Sequence, residues 1–188
     1  MIHGRVICNT GPLIALAIID HLTILKELFE EILVPEAVHE EILRGGPFLA
    51  GVSRYQKANW ITVQPLRKPL DPLLSSVLDT GEASVIQLAM ETATPLVLID
   101  ELKARKLART VFHLQVVGSV RLLVEAKRLG ALPNVRDAIQ RMRDGGYWIH
   151  DDIVQFALGE AGELKDDVHN RSTLIKAVRL STFPPTRG

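Results

Sequence analysis

One cysteine, Cys8, is all the sequence holds, so no intrachain disulfide can form, and a reducing compartment, the cytoplasm, is the expectation. The residue lies inside an apolar run and reads as core rather than as a nucleophile. Aromatic residues make up 5% of the chain, too few for a broad stacking platform on single-stranded nucleic acid. Neither sign of charge is in excess: 22 Lys and Arg meet 22 Asp and Glu, so a polyanion would need a local patch rather than a basic coat. No apolar run approaches the ~20 residues that cross a bilayer, and the N-terminus lacks the basic and apolar regions of an export signal. No membrane partner is expected. The histidines show no HxH or HExxH spacing, which argues against a zinc enzyme. Neither a G-x-G-x-x-G run after a strand nor a Walker lysine is present, and no serine sits in a nucleophile-elbow context.

What the chain does have is apolar content: 47% of 188 residues, enough for one substantial core. We expect one domain over residues 1–159 and a C-terminal tail over 160–188, whose charged run and closing prolines suit a loose or partner-packing segment. "RVIC" at 5–8 reads as a short buried strand, followed by Asn9, Thr10 and a helix with Pro12 in its first turn. A second helix precedes the apolar run Ile32–Val34. Pro35 then opens "EAVHEEILR", where Ala37, Val38, Glu41 and Ile42 mark the turns and Gly45–Gly46 end the helix. A helix-like stretch precedes the strand-like "WITV", and "QPLRKPLDP" reads as a loop punctuated by proline. "GEASVIQLAMETA" has a 3.6-residue apolar rhythm, "PLVLID" is a strand ending at Asp100, a helix follows, and "LQVVG" is a further strand before three glycine-separated helices.

Short apolar strands alternating with helices imply an α/β fold with a mainly parallel sheet covered on both faces. Ligands in that architecture collect at the carboxyl ends of the strands. Asn9 and Asp100 each follow a buried strand directly and so share a place to meet. Charge is also uneven along the chain: residues 1–99 carry 7 basic and 11 acidic side chains, residues 100–159 carry 10 and 7. The positive excess begins with Lys103, Arg105, Lys106 and Arg109, from which side a phosphate chain could approach.

Asp79 and Glu82 stand three apart at a helix start, and Asp100 and Glu101 at a strand end. Asp79 with Glu82 matches a capping box, and Asp100 could cap its own following helix. The alternative is that carboxylates gathered at one sheet edge repel unless a cation intervenes. Mg²⁺, with Mn²⁺ similar, takes oxygen ligands and is held by one or two carboxylates together with waters and phosphate.

The blocks "VICNTGPLIALAIIDHLTILKELFEEILVPEAVHEEIL", "GEASVIQLAM", "PLVLIDELKARKLA" and "VVGSVRLLVEAKRLGALPNV", in that order, resemble the PIN-domain superfamily, in particular a prokaryotic PIN-like branch related to toxin ribonucleases of toxin–antitoxin systems. The resemblance covers about residues 4–159. It implies a three-layer α/β/α sandwich with a short-stranded central sheet and an endoribonuclease dependent on Mg²⁺ or Mn²⁺, acting on RNA. It also implies a small antitoxin protein as partner, and a homodimer. Asn9, Glu82 and Asp100 then take the catalytic and metal positions, with Glu101 as a further metal residue. Thr10, Lys103, Arg105, Arg109 and Ser119 line the pocket or contact nucleic acid. Asn9 departs from the family pattern, which has an acid there: an amide oxygen can ligate Mg²⁺ but brings no charge. The competing reading is a noncatalytic nucleic-acid-binding or protein-interaction module that keeps the fold. Trp148, between two predicted helices, reads first as an intramolecular packing residue.

Overall fold

The computed structural model describes residues 4–45 and 49–164. Five strands, β1 (Arg5–Cys8), β2 (Glu31–Pro35), β3 (Thr62–Gln64), β4 (Leu96–Leu98) and β5 (Gln115–Val117), form one sheet in the order β3-β2-β1-β4-β5. Every neighbouring pair is parallel. Val6, Ile7 and Cys8 and all of β4 are buried. These strands are continuously apolar rather than alternating because helices cover both of their faces.

The helices are α1 (Thr10–Ile18), α2 (Ile24–Leu28), α3 (Glu36–Arg44), α4 (Leu49–Gln56), α5 (Pro72–Val77), α6 (Thr80–Thr92), α7 (Leu102–Thr110), α8 (Ser119–Arg128), α9 (Val135–Asp144) and α10 (Asp151–Glu160). Parallel crossovers are right-handed. Accordingly α1 and α4 pack together on one face and α6 lies on the other, with α3 between β2 and β3 meeting α6 as well as α1. Of these, α6 packs on β1, β2 and β4, while α1 packs with α4, α8 and α9. Both α1 and α6 are buried along most of their length, at Pro12–Ala17 and Gly81–Ala89, as expected of helices enclosed between the sheet and a further helix; α1 is apolar there, while α6 also buries Glu82, Ser84 and Gln87. The expected three-layer α/β/α arrangement with a short parallel sheet is the observed one.

The strand order reverses between β1 and β4. Cys8 is in register with Leu98, the Asn9 N–H donates to the Leu98 carbonyl at 2.9 Å, and the Ile99 N–H to the Val117 carbonyl at 3.0 Å. Chains leaving these adjacent strands depart to opposite faces, which opens a crevice at their carboxyl ends.

Some local expectations change. The proline-rich stretch after β3 gives way to α5 at Pro72, because a proline in the first turn opens a helix as readily as it breaks one. Asp71 caps α5, accepting from the Leu73 N–H at 2.7 Å. Buried Gln87 pins the preceding loop, its Oε1 accepting from the Asp71 N–H at 2.7 Å and its Nε2 donating to the Lys68 and Pro69 carbonyls at 3.1 Å each. Of the expected tail, residues 165–188 lie outside the described residues. Glu163 is held at the N-terminus of α9, accepting from the Val135 and Arg136 N–H groups and from Lys127 Nζ. Trp148 is 78% exposed rather than packed. It lies in an extended connection whose alternate residues, Tyr147 and Ile149, turn inward. No helix among the described residues is long and apolar enough to cross a membrane.

Ile7, fully buried in the central strand, tests this core. Ile7→Ala is expected to lower unfolding free energy by about 2–5 kcal/mol, measured by urea denaturation; a change within error would place β1 outside the cooperative core.

Candidate functional site

Asn9 is the N-cap residue of α1, in extended conformation, yet its side chain makes no capping hydrogen bond. Its Oδ1 is buried, with the residue 8% exposed, and has no hydrogen-bond partner among the described residues. A buried carbonyl oxygen left unpaired forfeits its bonds to water without replacement. This oxygen faces the start of α6: a Cβ on Gly81 would stand 3.4 Å from Asn9 Oδ1, 3.5 Å from Asp79 Oδ1 and 2.7 Å from Glu41 Oε2. A residue without a side chain is what leaves those three oxygens room. Thr10, the first residue of α1, donates from Oγ1 to Glu41 Oε2 at 2.8 Å and so orients the carboxylate that α3 contributes.

Glu82, 6% exposed, meets both sequence readings at once. It completes a capping box with Asp79: its N–H donates to Asp79 Oδ1 at 2.7 Å, while its own Oε2 accepts from the Asp79 N–H at a long 3.4 Å. Burial pushes its carboxyl up to about 7, and the charges of Asp79, Glu101 and Glu41 push in the same direction against the Asp79 N–H. A carboxyl poised near neutrality among other carboxylates is the usual condition of a functional acid or base.

Asp100 leaves the end of β4 and turns into the crevice. Its Oδ1 accepts from the Ser119 N–H at 2.7 Å and its Oδ2 from the Tyr147 hydroxyl at 2.5 Å. It does not cap α7: that falls to Glu101, whose carboxylate accepts from the Ala104 N–H at 2.7 Å, leaving Asp100 free for the crevice. A Cβ on Gly118 would stand 2.8 Å from Asp100 Oδ1 and 3.0 Å from Arg105 Nη1, so this glycine admits both an acid and a guanidinium. Ser119 is 1% exposed, and its hydroxyl lies beside Tyr147 without a well-formed hydrogen bond.

The basic residues of α7 divide between two sides, as helical geometry requires. Lys103 and Lys106 line a groove of about 230 Å³ floored by Val77, Leu78 and Leu107. Its floor begins next to Asp79, and Lys103 lies two residues past Glu101. Arg109 donates from Nη2 to the Val116 carbonyl at 2.8 Å, and burial followed by the charge of Arg105 lowers its pKa.

The sheet end thus carries two neighbouring groups. Asn9, Glu41, Asp79 and Glu82 surround the start of α6; Asp100, Arg105, Ser119 and Tyr147 surround the start of α8. Glu41, Asp79 as an inward oxygen, and Tyr147 were not among the residues expected at the site. Glu41 gave little signal: it is exposed, at the margin of the face of α3 that buries Val38 and Ile42. Among the described residues no three His, Cys, Asp or Glu side chains gather closely enough to hold a metal ion. The donors that face Gly81 are all oxygens, one of them an amide oxygen the fold leaves unsatisfied, and this suits a hard cation that keeps several waters. It suits zinc less well, since zinc sites are built chiefly on histidine nitrogen and cysteine sulfur.

The family described as a PIN domain matches residues 5–163 of the chain. No curated protein and no solved structure matches it.

The Glu82 carboxyl also affects stability. Its folded-state pKa of about 7 lies above the ordinary 4.5, so between those values the folded chain keeps a proton the unfolded chain releases. That contribution is full below pH 4.5 and is lost as the pH rises through about 7. Glu82→Gln is therefore expected to raise the melting temperature of the metal-free protein by several degrees at pH 8 and to change it little at pH 5. Equal shifts at both pH values would contradict the charge clustering.

Proposed function

Because the chain belongs to the PIN-domain family, we propose that it is an endoribonuclease dependent on Mg²⁺ or Mn²⁺, hydrolysing RNA phosphodiester bonds in the crevice beyond β1 and β4. The observation that carries this reading is Asn9 Oδ1, buried and unpaired against Glu41 and Asp79. Asn9 would hold the ion together with one or two of the carboxylates Glu41, Glu82 and Asp100, waters completing its shell, with Glu101 adding negative potential from the cap of α7. A divalent cation supplies water activation and compensation of phosphate charge.

The chain's own residues account for the rest. Glu82, whose Oε2 is held only by a long 3.4 Å contact from the Asp79 N–H, is the group suited to take the proton of the attacking water. Thr10 keeps Glu41 turned inward. Arg105, beside Asp100 over Gly118, is placed to meet a phosphate oxygen. Lys103 and Lys106 flank the groove along which the strand would leave, while Arg109 fastens α7 to β5.

Asn9 in place of an acid leaves the site one negative charge short. This lowers cation affinity and favours a single ion over a pair. The proposal extends to the toxin half of a toxin–antitoxin pair, held in check by a small antitoxin protein and acting as a homodimer. The same missing charge, with the loose spacing of the acids, favours as second reading a noncatalytic RNA-binding module.

Two measurements separate the readings. With Mn²⁺, the wild-type chain is expected to cleave RNA, and Glu82→Gln or Asp100→Asn to lower the rate about 100-fold or more with RNA binding kept. Binding without turnover across divalent ions would leave the noncatalytic module. Asn9→Asp is expected to tighten Mn²⁺ binding on the order of tenfold, read by titration calorimetry; unchanged affinity would remove Asn9 from the cation's surroundings.

A further inference from the structure

Tyr147 belongs to neither the acidic group nor the basic residues of α7, yet it reaches the site from the connection between α9 and α10. That connection is firmly built. The Tyr147 N–H donates to the Met142 carbonyl at 2.9 Å, and Arg143 Nη2 donates to the Ile149 carbonyl and to Asp151 Oδ1, both at 2.6 Å. With residues 147 and 149 turned inward, the phenol passes over Gly11 and donates to Asp100 Oδ2 at 2.5 Å. A Cβ on Gly11 would stand 3.0 Å from that hydroxyl and 3.5 Å from Asp100 Oδ2, so a glycine in the first turn of α1 leaves the hydrogen bond its room.

The pairing is charge-assisted and short. The Ser119 N–H already holds Oδ1, and the tyrosine holds Oδ2. A carboxylate has about four lone-pair directions; two are taken by these donors and the others stay open toward the crevice. An aspartate fixed at both oxygens cannot swing out to solvent when neighbouring carboxylates repel it.

We propose that Tyr147 is a positioning residue: its hydroxyl fixes the Asp100 carboxylate toward the cation and the scissile phosphate, so that the C-terminal helices complete a site otherwise drawn from residues 9 to 119. The inference rests on the cation reading of the site. Hydrogen bonds that orient metal-ligating groups typically contribute 10–100-fold to affinity, and that is the effect assigned to this hydroxyl. A tyrosine with only a packing role would contribute to folding and leave cation affinity alone.

The test is Mn²⁺ titration of the full chain, with the metal alone as probe, followed by calorimetry and by the electron paramagnetic resonance of free Mn²⁺. Tyr147→Phe keeps the ring and removes only the hydroxyl; it is expected to weaken Mn²⁺ binding about 10–100-fold while still melting cooperatively. Gly11→Ala sets a methyl group 3.0 Å from the hydroxyl with Tyr147 still present, so the hydroxyl must shift against the carboxylate, and weaker binding in the same direction is expected. Wild-type affinity in both variants, or tighter binding in Tyr147→Phe, overturns the positioning role while leaving the cation reading intact. Absence of Mn²⁺ binding by the wild-type chain overturns both.

Discussion

Negative charge crowded at the carboxyl ends of two adjacent strands is the constraint around which this fold is arranged. The reversal of strand order between β1 and β4 sends the following segments to opposite faces, which opens a crevice at the strand ends. Into it come Glu41 from α3, Asp79 and Glu82 from the start of α6, and Asp100 from the end of β4. Burial first, and then the charges of Asp79, Glu101 and Glu41, lift the Glu82 carboxyl to about 7. Such a group opposes folding of the metal-free chain, and a fold that keeps it does so at the expense of stability. Glycine makes the crowding sterically feasible: Gly81 and Gly118 give up side chains where carboxylate and guanidinium oxygens and nitrogens come within about 3 Å of a Cβ position.

Capping and site-building share the same residues here. Asp79 and Glu82 form a reciprocal capping box, and Glu101 caps α7. These interactions stabilise helix starts by roughly 1 kcal/mol each, and they also fix which way each carboxylate points. At α1 the division is different. Asn9 has the position and backbone of an N-cap but turns its oxygen away from the helix. An asparagine at that point can present an acceptor to a cation without adding to the repulsion, which an aspartate could not do.

The layers and the parallel sheet were legible in the sequence because strands buried on both faces appear as short unbroken apolar runs, such as "VIC" and "LVL", between helical periodicities. Asn9 and Asp100 were legible as neighbours for the same reason: each directly follows such a run. α5 was not, since Pro72 reads equally as a break and as a first turn. Which of Asp100 and Glu101 caps α7 could not be read from adjacent carboxylates; the direction of the chain leaving β4 decides it. Tyr147 was hidden by distance along the chain, 47 residues from Asp100. Trp148 was misplaced because an extended connection exposes alternate residues regardless of their hydrophobicity, so the indole beside an inward tyrosine faces solvent. Glu41 was not legible because, exposed beside Glu40 at the margin of the apolar face of α3, it reads as part of a solvated acidic run.

The central claim is that Asn9, Glu41, Glu82 and Asp100 face one hydrated space that takes a divalent cation. Anomalous diffraction from crystals of the full chain soaked in Mn²⁺ tests it directly. The account predicts a single anomalous peak within coordination distance, about 2.0–2.3 Å, of Asn9 Oδ1 and at least one of the carboxylates at 41, 82 and 100. A well-ordered crystal with these side chains visible and no peak in the crevice, or with the ion bound elsewhere, would contradict it.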